Sequence, residues 1–248
     1  LPILNVVGSR QAVWSRNETP RLPVGGFADT KTLRVSLWRT RPGDLLRGGD
    51  AFGALGQLDR TWEKAPTTLP APLALRGAPI AQADLPVDAP DREGVHNTRL
   101  TLPVPQGKPG LYLVRIDGPR KSRVFSWVLV TDIAVVAKRP EGDARVLVYA
   151  VDQNTGRPLP GARIERLRDG RPAGSATADA HGLAWLPPLP ASAKERTDVF
   201  LATHGDDQAA MGDSLWAFQP ESRRTVVHLH TDRTIYRPGH TIRYKGVV

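Results

Sequence analysis

Short runs of alternating apolar and polar residues, separated by Pro and Gly, dominate this chain. Leu33-Arg34-Val35-Ser36-Leu37-Trp38-Arg39 and Thr98 to Val104 alternate with period two, the period of a half-buried strand. Gly110 to Gly118 is a strand candidate bounded by glycines, and Ser122 to Val130 is another. Arg145 to Val151, Ala162 to Leu167, Leu183 to Leu186 and Val199 to Ala202 read the same way. Asp152 to Gly161, Arg168-Asp169-Gly170 and Thr177 to Gly182 supply turns between them. Phe52, Leu55 and Leu58 have a helical spacing that predicts a short helix, against the preference of Gly53 and Gly56. Arg41-Pro42-Gly43-Asp44 predicts a turn. Ala65 to Val95, rich in Pro and Ala, predicts a long connection. A structureless connection of that length is unusual in a compact domain, so a short hidden strand or a cover over a neighbouring domain is expected there.

The last stretch, Val226 to Val248, predicts a β-hairpin. Val226-Val227-His228-Leu229-His230 has strand composition, and Ile242, Tyr244, Val247 and Val248 form a second apolar run. Between them Tyr236-Arg237-Pro238-Gly239 carries the Pro-Gly dipeptide of a type II turn. Two strands alone are marginal in water, so this hairpin is expected to open a further sandwich in a longer protein. Thr131-Asp132 and Thr231-Asp232 lie one hundred residues apart. Each pair follows an apolar run and precedes an Arg-Pro turn, a weak internal repeat at the size of an immunoglobulin-type domain. The reading is therefore all-β, with tandem antiparallel sandwiches. Residues 1–130 form a first sandwich, 131–223 a second, and 224–248 the first hairpin of a third.

The terminal motif carries a family resemblance. Thr231-Asp232-Arg233-Thr234-Ile235-Tyr236-Arg237-Pro238-Gly239, followed by Tyr244-Lys245-Gly246, resembles a pattern of the alpha-2-macroglobulin family, and its Arg-Pro-Gly form resembles the bacterial branch. Thr234 stands where the family usually has Pro. Pro109-Gly110-Leu111-Tyr112-Leu113-Val114 and the turn order of residues 152–207 are similar to bacterial macroglobulin domains. The resemblance is firmer over 120–248 than over 1–119. It implies macroglobulin-like sandwiches, fibronectin-III or immunoglobulin-like in type, acting as scaffold in a broad-spectrum endopeptidase inhibitor. Such proteins trap proteases after cleavage of a bait region and protect the cell envelope. It implies Thr231, Asp232, Arg233, Tyr236, Arg237, Pro238 and Gly239 as fold-defining and no residue as catalytic. It also implies a periplasmic location, an anchor outside these residues, and endopeptidases and other envelope proteins as partners. The alternative from another class is an immunoglobulin-like adhesin or envelope binding array without protease trapping.

Composition narrows this picture modestly. Gly and Pro number 23 each among 248 residues, which fits many turns between short strands and stops short of low complexity. The net charge is +9, from 34 basic and 25 acidic side chains. No basic cluster is interleaved with aromatics, so the charge speaks for solubility and not for a nucleic-acid site. With no cysteine, disulfides, thiolate metal sites and the family's thioester are excluded from these residues. No apolar run is long enough to span a membrane. Leu1-Pro2-Ile3-Leu4 lacks the features of a signal peptide, so the leader of an exported parent is expected to be removed or to lie upstream.

Three patterns invite chemistry. Gly212-Asp213-Ser214-Leu215 matches the signature of one esterase family, with Asp179 and His181 as the nearest Asp-x-His. It stands late in a β-rich unit, away from the strand-to-helix context such a nucleophile needs, and a turn before a strand Leu215-Trp216-Ala217-Phe218 is the favoured reading. His228 and His230 share one face of a strand and could hold a metal with His240 or Asp232; packing against a neighbour is favoured. Asp206, Asp207 and Asp213 supply oxygens of the kind Ca²⁺ takes, but their spacing fits no EF-hand. No cofactor or metal is expected, and no enzyme.

Overall fold

The computed structural model describes residues 5–6, 13–27, 30–47, 51–58, 68–70, 73–89, 95–140, 143–188, 198–213, 228–231 and 244–247. They form two units, 1–215 and 216–248.

The first unit opens with a five-stranded sheet in the order β2-β8-β7-β4-β5 and a three-stranded sheet in the order β1-β3-β6. Their strands are β1 (Asn5–Val6), β2 (Val13–Trp14), β3 (Arg21–Phe27), β4 (Thr32–Thr40), β5 (Ala81–Pro86), β6 (Val95–Thr101), β7 (Gly110–Asp117) and β8 (Arg123–Val130). Pairing is antiparallel except where β2 runs parallel along the edge of β8. The two sheets close on Leu22, Val24 and Leu100 from one side and Val35, Leu37, Tyr112, Val114 and Ile116 from the other.

The five-stranded sheet is buried on both faces, which explains the near-continuous apolar runs of β7 and β8. Val124, Val128 and Val130 point into the first core, whereas Phe125, Trp127 and Leu129 join a second cluster. That cluster takes Leu46 from α1 (Pro42–Leu46) and Ala51, Ala54 and Leu55 from α2 (Ala51–Gln57), then Leu58 and Leu73. It is completed by Leu167, Val199 and Leu201 from the sheets that follow.

Those sheets are a three-stranded one, order β13-β10-β9, and a four-stranded one, order β12-β11-β14-β15. The strands are β9 (Ile133–Lys138), β10 (Val146–Asp152), β11 (Arg163–Arg168), β12 (Arg171–Thr177), β13 (Leu183–Leu186), β14 (Asp198–His204) and β15 (Asp207–Asp213). All pair antiparallel. Their shared core holds Ile133, Val146, Val148, Ile164, Leu186 and Phe200. Asp169 and Gly170 take φ of 51° and 73°, the left-handed pair that a two-residue hairpin turn needs, and so join β11 to β12.

The second unit contains β16 (His228–Thr231) and β17 (Tyr244–Val247), paired antiparallel from His228↔Val247 to Thr231↔Tyr244. The hairpin pairing expected there is present. The all-β, several-sheet architecture agrees with the sequence reading.

Several local readings are corrected. Residues 41–44 do not form a simple turn; Pro42 starts α1, at a helix position where its missing N–H costs nothing. The long connection 65–95 is no correction: it holds a short strand of the kind expected there, β5, whose half-buried Ala81, Ala83 and Leu85 alternate with exposed Gln82, Asp84 and Pro86. Ala162 to Leu167 does not alternate cleanly: Glu165 and Arg166 are buried with Ile164 and Leu167. Both faces of β11 are covered, and a register shift between Glu165 and Leu167 interrupts its pairing with β12. The strand read at Leu215 to Phe218 lies outside the described residues.

Candidate functional site

The residues with the most connected polar chemistry sit where the first pair of sheets meets the second. Thr131 follows β8 directly and is fully buried. Its N–H donates to Trp14 O at 2.9 Å, its Oγ1 accepts from Ile133 N at 3.1 Å, and its carbonyl accepts from Gln153 Nε2. Asp132 N–H donates to Asp207 Oδ2 at 2.8 Å. Asp132 Oδ1 accepts from Arg16 N at 3.0 Å and Asn154 Nδ2 at 3.1 Å. Asp132 O accepts from Gln153 N at 2.8 Å. One Thr-Asp pair thus fastens the segment around β2, the start of β9, the β10 turn and the β14–β15 hairpin.

Arg16 reaches across 190 residues of sequence to the same point. Its Nη2 donates to Asp206 Oδ1 at 2.9 Å and lies 3.3 Å from Asp207 Oδ2, and its Nε stands 3.5 Å from Asp132 Oδ2. Burial works against the Arg16 charge, yet the hydrogen bond from Arg16 to Asp206 and the charge of Asp207 hold its pKa above the usual value. The same hydrogen bond holds Asp206 below the ordinary carboxylate range. Asp207 is nearly closed off, with its side chain 4% exposed. A buried charge of this kind is tolerated only when paired.

Two further contacts join the sheet systems. Gly43 N–H donates to Gln208 Oε1 at 3.0 Å, and Gln208 Nε2 donates to Thr203 Oγ1 at 3.1 Å. Arg47 pairs with Glu165 at 2.8 Å, and that bond raises the Arg47 pKa. Gly212 packs against the Phe52 ring so closely that an added Cβ would lie 1.9 Å from Cε1.

This arrangement is a joint of paired charges, turn hydrogen bonds and an apolar seam. Asp179 Oδ1 accepts from His181 N at 2.8 Å and Leu183 N at 3.0 Å. The Asp-x-His of the esterase motif is therefore a capped turn, and those two backbone bonds hold Asp179 below its usual pKa. Ser214 lies outside the described residues. Asp206 and Asp207 face Arg16, while Asp213 ends β15 about 20 Å from Asp207 by strand rise; the three acids are not brought together. Among the described residues no group of three or more His, Asp or Glu could hold a metal ion. His228 and His230 lie in β16; His240 and Asp232 are outside the described residues. Of the terminal motif, Thr231 ends β16, whereas Asp232, Arg233, Tyr236, Arg237, Pro238 and Gly239 are outside them too. No helix among the described residues is long and apolar enough to cross a membrane.

A cleft of about 230 Å³ opens between β4 and α1, lined by Trp38, Arg39, Asp44, Leu45, Arg76 and Leu113. Two of its polar groups serve the fold. Arg39 donates to Pro109 O through Nε (2.9 Å) and Nη2 (2.6 Å), and Trp38 Nε1 donates to Gly77 O at 3.1 Å.

The Thr-Asp repeat pointed to Thr131 and Asp132. Nothing in the sequence pointed to Arg16, Gln153 or Gln208, whose partners are set by tertiary approach.

No protein-family model and no curated protein sequence matches the chain. Solved structures do. Native alpha-2-macroglobulin from Escherichia coli spanning domains NIE-MG1 superposes with a TM-score of 0.62 at 18% identity, covering 85% of this chain and 96% of that one. The Escherichia coli structure spanning MG0-NIE-MG1 gives 0.60 at 18% identity, covering 85% and 63%. A Salmonella alpha-2-macroglobulin mutant gives 0.52 at 18% identity, covering all of this chain and 14% of that one. This chain thus spans about one seventh of the Salmonella protein. Its paired sheets share the fold of the solved bacterial alpha-2-macroglobulin structure that spans domains NIE-MG1.

Proposed function

We propose that this chain is scaffold from a bacterial alpha-2-macroglobulin, an exported endopeptidase inhibitor of the periplasm that traps proteases after bait-region cleavage. The observation that carries the reading is the fold match through both sheet systems, over 96% of the NIE-MG1 structure. The terminal motif, from Thr231 to Gly239, supports it independently of fold. In this reading the joint fixes one sandwich against the next, and these residues contribute geometry, not catalysis. Rigid neighbouring sandwiches suit a wall that must hold its shape while another part of the protein rearranges. Endopeptidases would be met by regions outside these residues, as would any anchor or envelope partner.

The test uses the full-length protein. It is incubated with trypsin, and residual activity is assayed on a small peptide substrate and on a large protein substrate. Activity kept on the small substrate and lost on the large one is the expected result, because a caged protease is alive but sterically closed. Equal activity on both refutes trapping of that protease and returns the sandwiches to a general envelope scaffold.

A further inference from the structure

β4 keeps its pairing to the end on one side and loses it early on the other. Toward β7 the ladder runs from Arg34↔Asp117 to Thr40↔Leu111. Toward β5 it runs from Thr32↔Pro86 and stops at Leu37↔Ala81. Ile80 N–H donates to Leu37 O at 2.8 Å, so Leu37 aims its backbone groups at the β5 side. Alternate residues of a strand aim theirs at the same edge. Arg39 therefore aims its N–H and C=O at that side too, past the end of β5. Among the described residues no backbone bond reaches Arg39 from there.

The cleft of about 230 Å³ opens at this edge. Trp38 and Leu113, a cross-strand pair, give it an apolar floor with half-buried Leu45. Arg39 turns its side chain to the opposite face, that of its partner Tyr112, where it donates to Pro109 O. It borders the cleft through its main chain. Exposed Asp44 stands on the α1 wall, and exposed Arg76 on the segment leading into β5.

An unpaired strand edge beside an apolar cleft has the features that an extended peptide recognises, since backbone bonds supply affinity and alternate side chains specificity. Volume points the same way. At about 230 Å³ the cleft is smaller than the ~300–1,000 Å³ of small-molecule sites, and it suits one or two side chains. A peptide residue exchanging both backbone bonds with Arg39 in antiparallel register has its side chain on the Arg39 face, because cross-strand partners share a face. Its two neighbours in sequence then point to the Trp38 face and into the cleft. Asp44 and Arg76 complement one cationic and one acidic residue on the flanks.

We propose that the end of β4 and this cleft bind an extended peptide segment of another protein. The segment lays apolar side chains on Trp38 and Leu113 and carries charges of both signs beside them. The proposal does not depend on the protease-trap reading.

The probe is fluorescein-Gly-Glu-Leu-Val-Leu-Lys-Gly-amide, titrated with the 248-residue chain and followed by anisotropy. The expected result is saturable binding, weakened at least about tenfold when the Val nitrogen is methylated, because the donor to Arg39 O is lost. Ala74→Trp, at an exposed position lining the cleft, should fill it and weaken binding by a similar factor. Arg76→Glu should weaken binding severalfold, and Arg99→Glu, exposed on β6, should leave it unchanged. No saturation below about 1 mM overturns the proposal. Equal binding of the methylated probe also overturns it, and marks a pocket filled by side chains alone. So does binding that survives Ala74→Trp, which places the peptide elsewhere. If Ala74→Trp does not fold, the methylated probe and Arg76→Glu still decide.

Discussion

Replacing Gly212 by Ala tests whether the Gly-Asp-Ser-Leu stretch is built for packing. A Cβ at residue 212 would lie 1.9, 2.2 and 2.7 Å from Cε1, Cζ and Cδ1 of Phe52, where carbon atoms prefer about 3.5–4.0 Å. The ring belongs to α2 and packs against the seam cluster, so it must swing by well over an ångström. Overpacking of this kind costs about 1–3 kcal/mol. For a unit of this size that corresponds to roughly 3–9 °C in Tm. Phe52→Ala alone removes a partly buried ring and also destabilises. In the double variant the clash has no partner, so its loss is smaller than the sum of the two single losses by about 1–3 kcal/mol. Urea unfolding followed by Trp fluorescence measures all four proteins. Gly212→Ala within about 0.5 kcal/mol of the parent, or strict additivity in the cycle, would refute the reasoning. A glycine serving a nucleophile turn gives no such rescue by Phe52→Ala.

Arg16→Ala leaves the Asp207 carboxylate buried beside Asp132 without its cation, and about 2–3 kcal/mol of stability is expected to go. Amide exchange at Thr131 and Asp132 should then quicken, and unchanged exchange would sink the joint as described. Leu201→Ala opens a cavity in the seam and should cost about 2–5 kcal/mol by denaturant unfolding. Asp152, Asp179 and Asp206 have folded pKa values depressed by Thr155 backbone donation, Leu183 backbone donation and the Arg16 hydrogen bond respectively. A depressed carboxylate contributes stability above its unfolded pKa of about 3.9 and loses it as pH falls through the lower folded value. Stability should therefore be level from about pH 5 upward and fall below about pH 4, and Asp179→Asn should flatten part of that acid limb. Finally, Ser214→Ala should leave any ester hydrolysis by the purified chain unchanged.

How far the sequence carried the structure follows from what each signal measures. Period-two alternation reports which side of a strand is buried, so β4, β6, β7, β8, β10, β13 and β14 were legible. The double-sided burial of β7 was visible only as an apolar run, since composition does not say what covers a second face. β5 was expected only as an unplaced strand, and β12 and β15 escaped, because Ala-Gln-Ala-Asp, Arg-Pro-Ala-Gly and Asp-Gln-Ala-Ala carry weak strand propensity. They are strands because a neighbour offers them unpaired backbone groups. The charged residues of β11 were misread for the same reason: Glu165 is buried because Arg47, 118 residues away, reaches it.

By itself the sequence determined the all-β class, the Thr-Asp repeat, the terminal hairpin and the absence of thiol chemistry. Each of these is a matter of local propensity, spacing or composition. Only the tertiary structure decided that Thr131-Asp132 fastens a joint, that Arg16 supplies its cation and that Phe52 requires a glycine at 212. Those are facts about which surfaces meet, and no local pattern encodes a contact between residues more than a hundred positions apart.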